Sequence, residues 1–279
     1  MQTDVHHGLL GVLMPDLRPQ PLPDDLAAPL ARVAGRLGLI GHEVRWYPEI
    51  GSTNDVAAAW AEHGAREGCV VVADAQSAGR GRHGRNWASP SGAGLYVSTV
   101  LRPAEHVLPL LTIAAGVGVA EGIQAVTGLV ADLKWPNDVF INGRKVAGVL
   151  AEATSSATGT RVVLGVGINA SVAAYPPEVV DLATSLEREL GGPVARGHLL
   201  AECLCGLAHQ YQNLTDGRRD AVLDAWRARA AATLGRRVRW SEGGDTRVGT
   251  VDGIDDSGAL LVRTDAGQTR VMAGDVRWL

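Results

Sequence analysis

Residues 138–152 have the sequence Asp-Val-Phe-Ile-Asn-Gly-Arg-Lys-Val-Ala-Gly-Val-Leu-Ala-Glu, and this stretch decides the fold class. Two apolar runs, Val139–Ile141 and Lys145–Glu152, flank Asn142-Gly143, the dipeptide most typical of a two-residue β-hairpin turn. A third run, Arg161–Ile168, is predicted to pair beside them. Because hairpin strands pair antiparallel, a simple doubly wound parallel sheet is disfavoured. We therefore predict an α+β fold with helices and a mixed, antiparallel-rich sheet.

On both sides of this hairpin, strand patterns alternate with helix patterns. Upstream, strands are predicted at Val44–Pro48, Cys69–Ala75 and Leu95–Leu101, and helices at Asp24–Leu37, Ser52–His63 and His106–Val126. Ser52-Thr53-Asn54-Asp55 matches a capping box, which predicts where the second of these helices begins. Downstream, helices are predicted at Arg196–Gln212 and Arg218–Ala232.

The pattern changes near residue 233, and this change suggests three regions. Residues 1–43 form an N-terminal extension with five prolines between Pro15 and Pro29 and no convincing helix-turn-helix. Residues 44–232 form the main domain. Residues 233–279 have short alternating strands separated by Gly- and Asp-containing turns, which favours a small C-terminal β-barrel.

The composition excludes several classes of protein. The 279 residues are 46% hydrophobic and 20% charged, with a formal net charge of −4, which is typical of a globular protein without a bulk electrostatic attraction to nucleic acid or lipid. Cys69, Cys203 and Cys205 include no C-x-x-C, so we expect reduced thiols and neither a disulfide framework nor a zinc ribbon. There is no signal-peptide pattern, and the apolar run 108–120 is too short to span a bilayer. We predict a cytoplasmic protein.

Lysine is rare in this chain, which has 24 arginines and only two lysines, Lys134 and Lys145. A position that keeps lysine against this bias is a candidate for a role that needs a compact ammonium rather than a planar guanidinium. Both lysines lie in the densest group of motifs.

The segment Gly79–Arg85 matches G-x-G-x-x-G, but it is not followed by the helix that a dinucleotide site requires, nor by the Gly-Lys-Ser/Thr of a phosphate-binding loop. What remains is a glycine-rich loop with three arginines, followed by Trp87. Arginines bind carboxylate and phosphate oxygens, and an indole offers a stacking face. The alternatives are a solvated basic loop and an RNA-binding loop.

Two further segments carry polar side chains at strand ends. Lys134-Trp135-Pro136-Asn137-Asp138 presents a lysine, an amide and a carboxylate around a proline turn, although a plain tight turn would have the same composition. Lys145 lies across the hairpin, and Gly148 allows close approach to the backbone. Gly165–Asn169 ends another strand with an asparagine.

Taken in order, these segments resemble the biotin–protein ligases (biotin–[acetyl-CoA-carboxylase] ligases) over residues 44–279. The resemblance rests on six stretches: GSTN (Gly51–Asn54), QSAGRGRHGRNW (Gln76–Trp87), SPSGAGLYVS (Ser89–Ser98), KWPNDV (Lys134–Val139), GRKVAGVLAE (Gly143–Glu152) and GVGIN (Gly165–Asn169). It implies a catalytic domain related to class II aminoacyl-tRNA synthetases and an SH3-like C-terminal barrel.

The resemblance also implies a two-step reaction. Biotin is activated with ATP and Mg²⁺ to biotinyl-5′-AMP, and the biotinyl group is then transferred to a lysine of a biotin carboxyl carrier domain. No bound redox cofactor is expected. Both steps develop charge on phosphate and carboxyl oxygens, which preorganised cationic donors stabilise.

The family's site residues are carried over position by position. Biotin-binding positions are Ser52, Thr53, Asn54, Gln76, Arg80, Gly81, Arg82, Lys145 and Gly148. Nucleotide-binding positions are Arg82, Arg85, Trp87, Lys134, Asn137 and Asn169. The catalytic positions are Lys145, which bridges the biotin carboxylate and the α-phosphate, Arg80, which retains the adenylate, and Asp138, which serves the ligation chemistry. The resemblance identifies no metal ligands.

The sequence departs from the bifunctional members because the winged-helix DNA-binding domain is not recognisable in it. We therefore expect a ligase that binds neither DNA nor membranes and is a monomer or a weak homodimer. His83 and Asn86 stand where many members carry basic residues. The alternatives are a lipoate–protein ligase of the same architecture and a non-enzymatic RNA-binding protein.

Overall fold

The Asn142-Gly143 turn joins two antiparallel strands, as predicted, and a third strand pairs with them. The computed structural model describes residues 18–156, 159–242, 245–272, 274 and 276–279. The hairpin belongs to a seven-stranded sheet with the order β1-β2-β3-β7-β6-β5-β4. Its strands are β1 (Val44–Ile50), β2 (Val70–Gln76), β3 (Gly94–Leu101), β4 (Asp132–Lys134), β5 (Asp138–Ile141), β6 (Arg144–Ser156) and β7 (Gly159–Asn169).

Only the β1–β2 pair of this sheet is parallel, and its other neighbouring strands are antiparallel. The prediction of a mixed, antiparallel-rich sheet with helices is confirmed. The helices are α1 (Asp24–Val33), α2 (Thr53–Glu62), α3 (Leu111–Thr127), α4 (Leu186–Leu190), α5 (Arg196–Thr215) and α6 (Arg219–Ala228).

Glycines allow α3 and α5 to approach closely in the core. A Cβ at Gly118 would lie 2.6 Å from the carbonyl carbon of Gly206, and a Cβ at Gly122 would lie 2.6 Å from the backbone of Cys203. The three cysteines are buried and unpaired, and burial raises the pKa of Cys69 to about 11. These thiols therefore serve packing, in line with the prediction of reduced cysteines.

The apolar run predicted at 108–120 belongs to a longer helical stretch than the composition suggested. Glu105–Thr127 spans 23 residues and is long and apolar enough to cross a membrane, which corrects the prediction on length. However, 72% of its apolar window is buried inside the fold, because α3 packs between α5 and the sheet. Its hydrophobicity is thus explained by burial in the core.

The predicted capping box does not form. Ser52 occupies the N-cap position of α2, but its side chain makes no capping hydrogen bond. Asp55 turns away from the helix N-terminus because its carboxylate accepts two hydrogen bonds from Arg80. The helix begins where predicted, whereas Asp55 bonds to Arg80 of the neighbouring loop instead of to the helix backbone.

Part of the predicted N-terminal extension, residues 18–43, packs against the main domain. Leu26, Leu30 and Val33 of α1 are buried in the same core as α5. Within residues 18–43 the structure describes α1 and a 3₁₀ turn at Ala34–Arg36, and no second helix that would make a helix-turn-helix. Pro15, like all the residues before 18, lies outside the part of the chain that the structure describes.

The C-terminal strands form a second, antiparallel sheet with the order β11-β10-β9-β8-β12. They are β8 (Arg237–Glu242), β9 (Asp245–Ile254), β10 (Leu260–Thr264), β11 (Gly267–Val271) and β12 (Arg277–Trp278). The indole of Trp135 donates a 2.8 Å hydrogen bond to the carbonyl of Gly258, which ties this sheet to the turn before β5. The last strand is thereby held beside the polar turn of the main domain.

Candidate functional site

One cleft of about 1180 Å³ collects every residue that the sequence assigned to a site. It lies over the middle of the main sheet and reaches the C-terminal sheet. The predicted residues in its lining are Ser52, Thr53, Asn54, Gln76, Arg80, Gly81, Arg82, Arg85, Trp87, Lys134, Asn137, Asp138, Lys145, Gly148 and Asn169. Residues separated by more than a hundred positions thus share one cavity.

The floor of the cleft is made of backbone. Gly148 on β6 and Gly167 on β7 are direct cross-strand partners, so their missing side chains leave one flat area. The indole of Trp87 lies on this area, and a Cβ at Gly167 would lie 2.6 Å from its Nε1 atom. The glycines are required because the ring occupies the space that a side chain would fill.

Gly167→Ala is therefore expected to displace Trp87 from the floor. Overpacking of this kind costs about 1–3 kcal/mol, and we expect the KM values for ATP and biotin, the substrates that the sequence resemblance implies, to rise while the sheet remains folded. Gly116→Ala in α3 is the matched control, since its Cβ would meet Leu133 at an ordinary 3.6 Å. Unchanged KM values in Gly167→Ala would show that the position of the indole does not matter.

Lys145 reaches the cleft because of an irregularity in β6. Val139 pairs with Ala147, whereas Phe140 pairs with Lys145, so the register shifts by one residue and Val146 is the extra residue of β6. Positions 145 and 148 would face opposite sides of a regular strand. The extra residue turns both toward the cleft, while Val146 and Ala147 stay buried in the core.

The ammonium of Lys145 lies against the cleft floor, because a Cβ at Gly148 would be 3.1 Å from its Nζ atom. Its Nζ atom lies 2.6 Å from Oδ1 of Asp138 and 5.2 Å from the centre of the Trp87 ring. The backbone of Lys145 is fixed from its other edge, because its N–H donates to Leu182 and its carbonyl accepts from Thr184, each at 2.8 Å. A rigid backbone thus carries a flexible point charge.

The buried Ser52–Asn54 segment forms a polar pocket at one end of the cleft. The N–H of Thr53 donates to Oε1 of Gln76 at 2.8 Å, and the hydroxyl of Ser98 contacts Oδ1 of Asn54 at 2.6 Å. The amide of Asn54 donates to Glu152 at 2.5 Å. A Cβ at Gly165 would lie 2.2 Å from Oδ1 of Asn54, so this pocket also needs a glycine beneath it.

The arginine loop folds back on itself above the floor. The N–H of Gly81 donates to the carbonyl of Arg85 at 2.7 Å, and the N–H of Trp87 donates to Gly79 at 2.9 Å. His83 adopts a left-handed conformation with φ 56° at the tip. A Cβ at Gly79 would lie 2.5 Å from the Trp87 carbonyl, so glycine is needed where the two arms meet.

Arg80 is held by two carboxylates. Its terminal nitrogens donate to both oxygens of Asp55 at 2.7 Å, and Nη2 lies 3.4 Å from Glu152. These hydrogen bonds raise the pKa of Arg80, so the guanidinium is charged throughout the pH range of a folded protein.

The other end of the cleft brings both domains together. Arg82 donates to Oδ1 of Asn137 at 3.1 Å and to the carbonyl of Gly274 at 3.3 Å. The ammonium of Lys134 lies 4.6 Å from the ring centre of Trp278, a cation–π contact across the domain boundary. The side-chain amide of Asn169 donates to the carbonyl of Thr184 at 3.0 Å, within the cleft wall.

Several residues that line the cleft, or that bond to residues lining it, were not predicted from the sequence. Asp55 ends the segment Ser52–Asp55 and Glu152 ends the segment Gly143–Glu152. Their carboxylates could have been considered as partners for the arginines of the loop. Ser98 ends another such segment. Trp278 gave no local signal, because it lies far along the chain in the second sheet. Tyr175 was not considered either, although it lines the cleft.

Unsatisfied polar atoms support a ligand site here. The Nε1 atom of Trp87 and the hydroxyl of Tyr175 are buried and have no hydrogen-bond partner among the described residues. Such groups are rare in folded proteins unless a ligand or water completes them. No cluster of three metal-ligating side chains occurs in the part of the chain that the structure describes.

Comparisons with known proteins agree with this geometry. A model of the biotin/lipoate A/B protein ligase family matches residues 46–169, and a model of the biotin protein ligase C terminal domain matches residues 233–277. The biotin–[acetyl-CoA-carboxylase] ligase of Mycobacterium tuberculosis is 37% identical over 267 residues, which cover 91% of this chain and 97% of that protein. The chain belongs to the biotin protein ligase family.

Other relatives of this ligase agree. The bifunctional ligase/repressor BirA of Bacillus spizizenii is 34% identical over 91% of this chain and 79% of its own length. Among solved structures, the Aquifex aeolicus biotin protein ligase in complex with biotin and ATP superposes with a TM-score of 0.76 at 29% identity, covering 85% of this chain and 99% of that one. The Leishmania major biotin protein ligase in complex with biotinyl-5-AMP has a TM-score of 0.59 at 25% identity, covering 85% and 98%.

Membership in this family removes the RNA-binding alternative as an account of the whole chain. The matched family model includes lipoate ligases in its description, so it does not by itself choose the acid. The Mycobacterium tuberculosis relative and the two solved structures are named as biotin ligases. The chain is thus an enzyme of the biotin ligase class.

Proposed function

We propose that this ligase activates biotin with MgATP and then biotinylates one lysine of a biotin carboxyl carrier domain. The observation that carries the proposal is the position of Lys145, whose ammonium projects from a rigid strand over a glycine floor, 2.6 Å from Asp138. Mg²⁺ enters as the counter-ion of ATP and therefore as part of a substrate. The chain supplies the cations that the reacting oxygens need.

In the first step a biotin carboxylate oxygen attacks the α-phosphorus of ATP. A new phosphorus–oxygen bond forms, the bond to the β-phosphate bridge breaks, and pyrophosphate leaves. Lys145 lies between the two anions and lowers their repulsion as they approach. Preorganised cations of this kind, acting where water is excluded, supply a large part of the rate enhancement in such reactions.

In the second step the amine of the carrier lysine attacks the acyl carbon of biotinyl-5′-AMP. An amide forms, AMP leaves, and the amine gives up a proton. Asp138 is our candidate for receiving or orienting that proton, because its carboxylate lies beside Lys145, whose ammonium we place between the two substrates. Holding both reactants in one cavity also removes part of the entropic barrier.

We assign the two ends of the cleft to the two substrates. The buried pocket of Ser52, Thr53, Asn54 and Gln76 offers donors and acceptors suited to the ureido head of biotin and its chain. The nucleotide end is assigned to Arg82, Arg85, Lys134, Asn137 and Asn169, with Trp87 between the ends. Gly81 and Gly148 allow close approach of the backbone. Arg80 covers the adenylate.

Other parts of the account remain proposals of the same kind. We propose that the main domain is related to class II aminoacyl-tRNA synthetases and that the C-terminal sheet is an SH3-like barrel starting near residue 233. We expect a cytoplasmic enzyme that is a monomer or a weak homodimer and binds no DNA. The antiparallel-rich sheet of the main domain and the antiparallel C-terminal sheet support the structural part.

The transfer step is tested with a purified biotin carboxyl carrier domain, MgATP and labelled biotin. We expect stoichiometric labelling of one lysine and none after that lysine is changed to arginine. A carrier domain that stays unlabelled, while the enzyme forms the adenylate, would contradict the proposed acceptor. Labelling of a lipoyl domain with lipoate instead would show that the substrate is lipoate, and the chain would then be a lipoate ligase of the same family.

A further inference from the structure

We propose that Asp55 is the positioning residue of Arg80 and thereby keeps the arginine loop closed over the adenylate. The proposal rests on the proposed function, because it concerns retention of biotinyl-5′-AMP. Asp55 would not touch the reacting atoms. It acts through the guanidinium, whose two terminal nitrogens each donate to it at 2.7 Å.

The two hydrogen bonds between Asp55 and Arg80 fix the orientation of the guanidinium as well as its distance from the carboxylate. A carboxylate that accepts both terminal nitrogens of an arginine holds the guanidinium in one plane, whereas a single contact leaves it free to rotate. Glu152 lies 3.4 Å from the same guanidinium and makes only a longer contact. Asp55 is therefore the group that determines where Arg80 points.

Asp55 is well placed to anchor a loop. It lies in the first turn of α2, directly after Asn54, so its backbone belongs to the rigid wall of the proposed biotin pocket. Two residues beyond Arg80, Arg82 bonds to Asn137 and to Gly274 at the nucleotide end. The loop is thus fastened at both ends of the cleft, and Asp55 provides the fastening on the biotin side.

The exposure of the Asp55–Arg80 pair argues for a role in positioning the loop rather than in stabilising the fold. The side chain of Asp55 is 59% exposed and that of Arg80 is 36% exposed. Exposed ion pairs contribute little to folding stability, so the pair is poorly explained as a stabilising contact. The opposite mechanism would be a lock, in which Asp55 competes with the adenylate for Arg80. The two mechanisms predict opposite effects of removing the carboxylate.

The test measures loss of labelled biotinyl-5′-AMP from the preloaded enzyme after a chase with unlabelled biotin. We expect Asp55→Asn and Arg80→Ala each to accelerate this loss about tenfold. The double variant is expected to be no faster than Arg80→Ala alone, because Asp55 acts through Arg80. Asp55→Glu, which keeps the carboxylate, is expected to restore part of the retention.

Asp224→Asn is the matched control, because it removes an exposed carboxylate that accepts from Arg227 at 2.8 Å, and neither residue lines the cleft. It should behave as the unchanged enzyme. Retention that is unchanged or improved in Asp55→Asn, or an effect that persists in the Arg80→Ala background, would overturn the proposal. An unchanged enzyme that forms no adenylate would instead refute the proposed function, so the two failures are distinguishable.

Discussion

Lys145→Arg is expected to lower biotin-dependent pyrophosphate exchange by about 10²–10³-fold. This is the range found when one preorganised hydrogen-bond donor is removed from an active site. The change keeps the positive charge but replaces a compact ammonium with a planar fork. The Lys145 ammonium is packed closely against the cleft floor, since a Cβ at Gly148 would lie 3.1 Å from it and 3.2 Å from the Trp87 ring, so a larger guanidinium would have to shift away from this position.

Lys134→Arg is the matched control for this prediction, since it makes the same substitution at the only other lysine in the chain. Its ammonium lies over Trp278, and a guanidinium can also stack on an indole. We expect a rise in KM for ATP well below the effect at Lys145. Near-normal exchange by Lys145→Arg would refute the assigned role of that lysine.

Arg80→Ala is expected to release biotinyl-5′-AMP into solution about tenfold faster or more. Leaving a partner group without its charged hydrogen bond costs about 1–3 kcal/mol, and a factor of ten corresponds to about 1.4 kcal/mol. Pyrophosphate exchange should be affected less than retention, because Lys145 and not Arg80 lies at the proposed point of attack.

The scarcity of lysine gives this prediction a sensitive readout. A released acyl adenylate reacts with free amines. The two lysines of this chain both line the cleft, so the rest of the enzyme surface offers no lysine to a released adenylate. Released adenylate should therefore label added poly-lysine in preference to the enzyme itself. Equal labelling of poly-lysine by Arg80→Ala and by the unchanged enzyme would show that Arg80 is only a surface charge.

Local pattern was sufficient for most of the fold. The Asn-Gly turn between apolar runs predicted β5 and β6, and the observed strands extend these runs by a few residues at most ends. The long apolar helices were also predicted, because their burial requires the periodicity that the sequence shows. Short elements such as α4, with five residues, carry too little pattern to be found in this way.

The cleft needed three-dimensional information in two respects. The extra residue in β6 turns Lys145 toward the cleft, and no rule of strict alternation would have placed Lys145 and Gly148 on one face. The pairing of Asp55 with Arg80 joins residues 25 positions apart, and it diverted Asp55 from the capping role that local pattern predicted. Contacts across the fold compete with local ones, and here they prevail.

The residues that the second sheet contributes to the cleft could not be predicted from the sequence. Trp278 meets Lys134 because the two domains pack together, and the hydrogen bond from Trp135 to Gly258 is one of the contacts that join them. Nothing in the residues around Trp278 distinguishes it from an ordinary strand tryptophan. Its place in the cleft follows from domain packing alone.

Biotin-dependent exchange of labelled pyrophosphate into MgATP, measured beside a lipoate control, tests whether the cleft adenylates biotin. Reversible adenylation is the step that Lys145 and the assigned substrate-binding residues serve, and the assay needs no carrier protein. We predict exchange with biotin and none with lipoate. Exchange with lipoate alone would contradict the assigned substrate, and folded enzyme that exchanges with neither acid would contradict the proposed chemistry of the cleft.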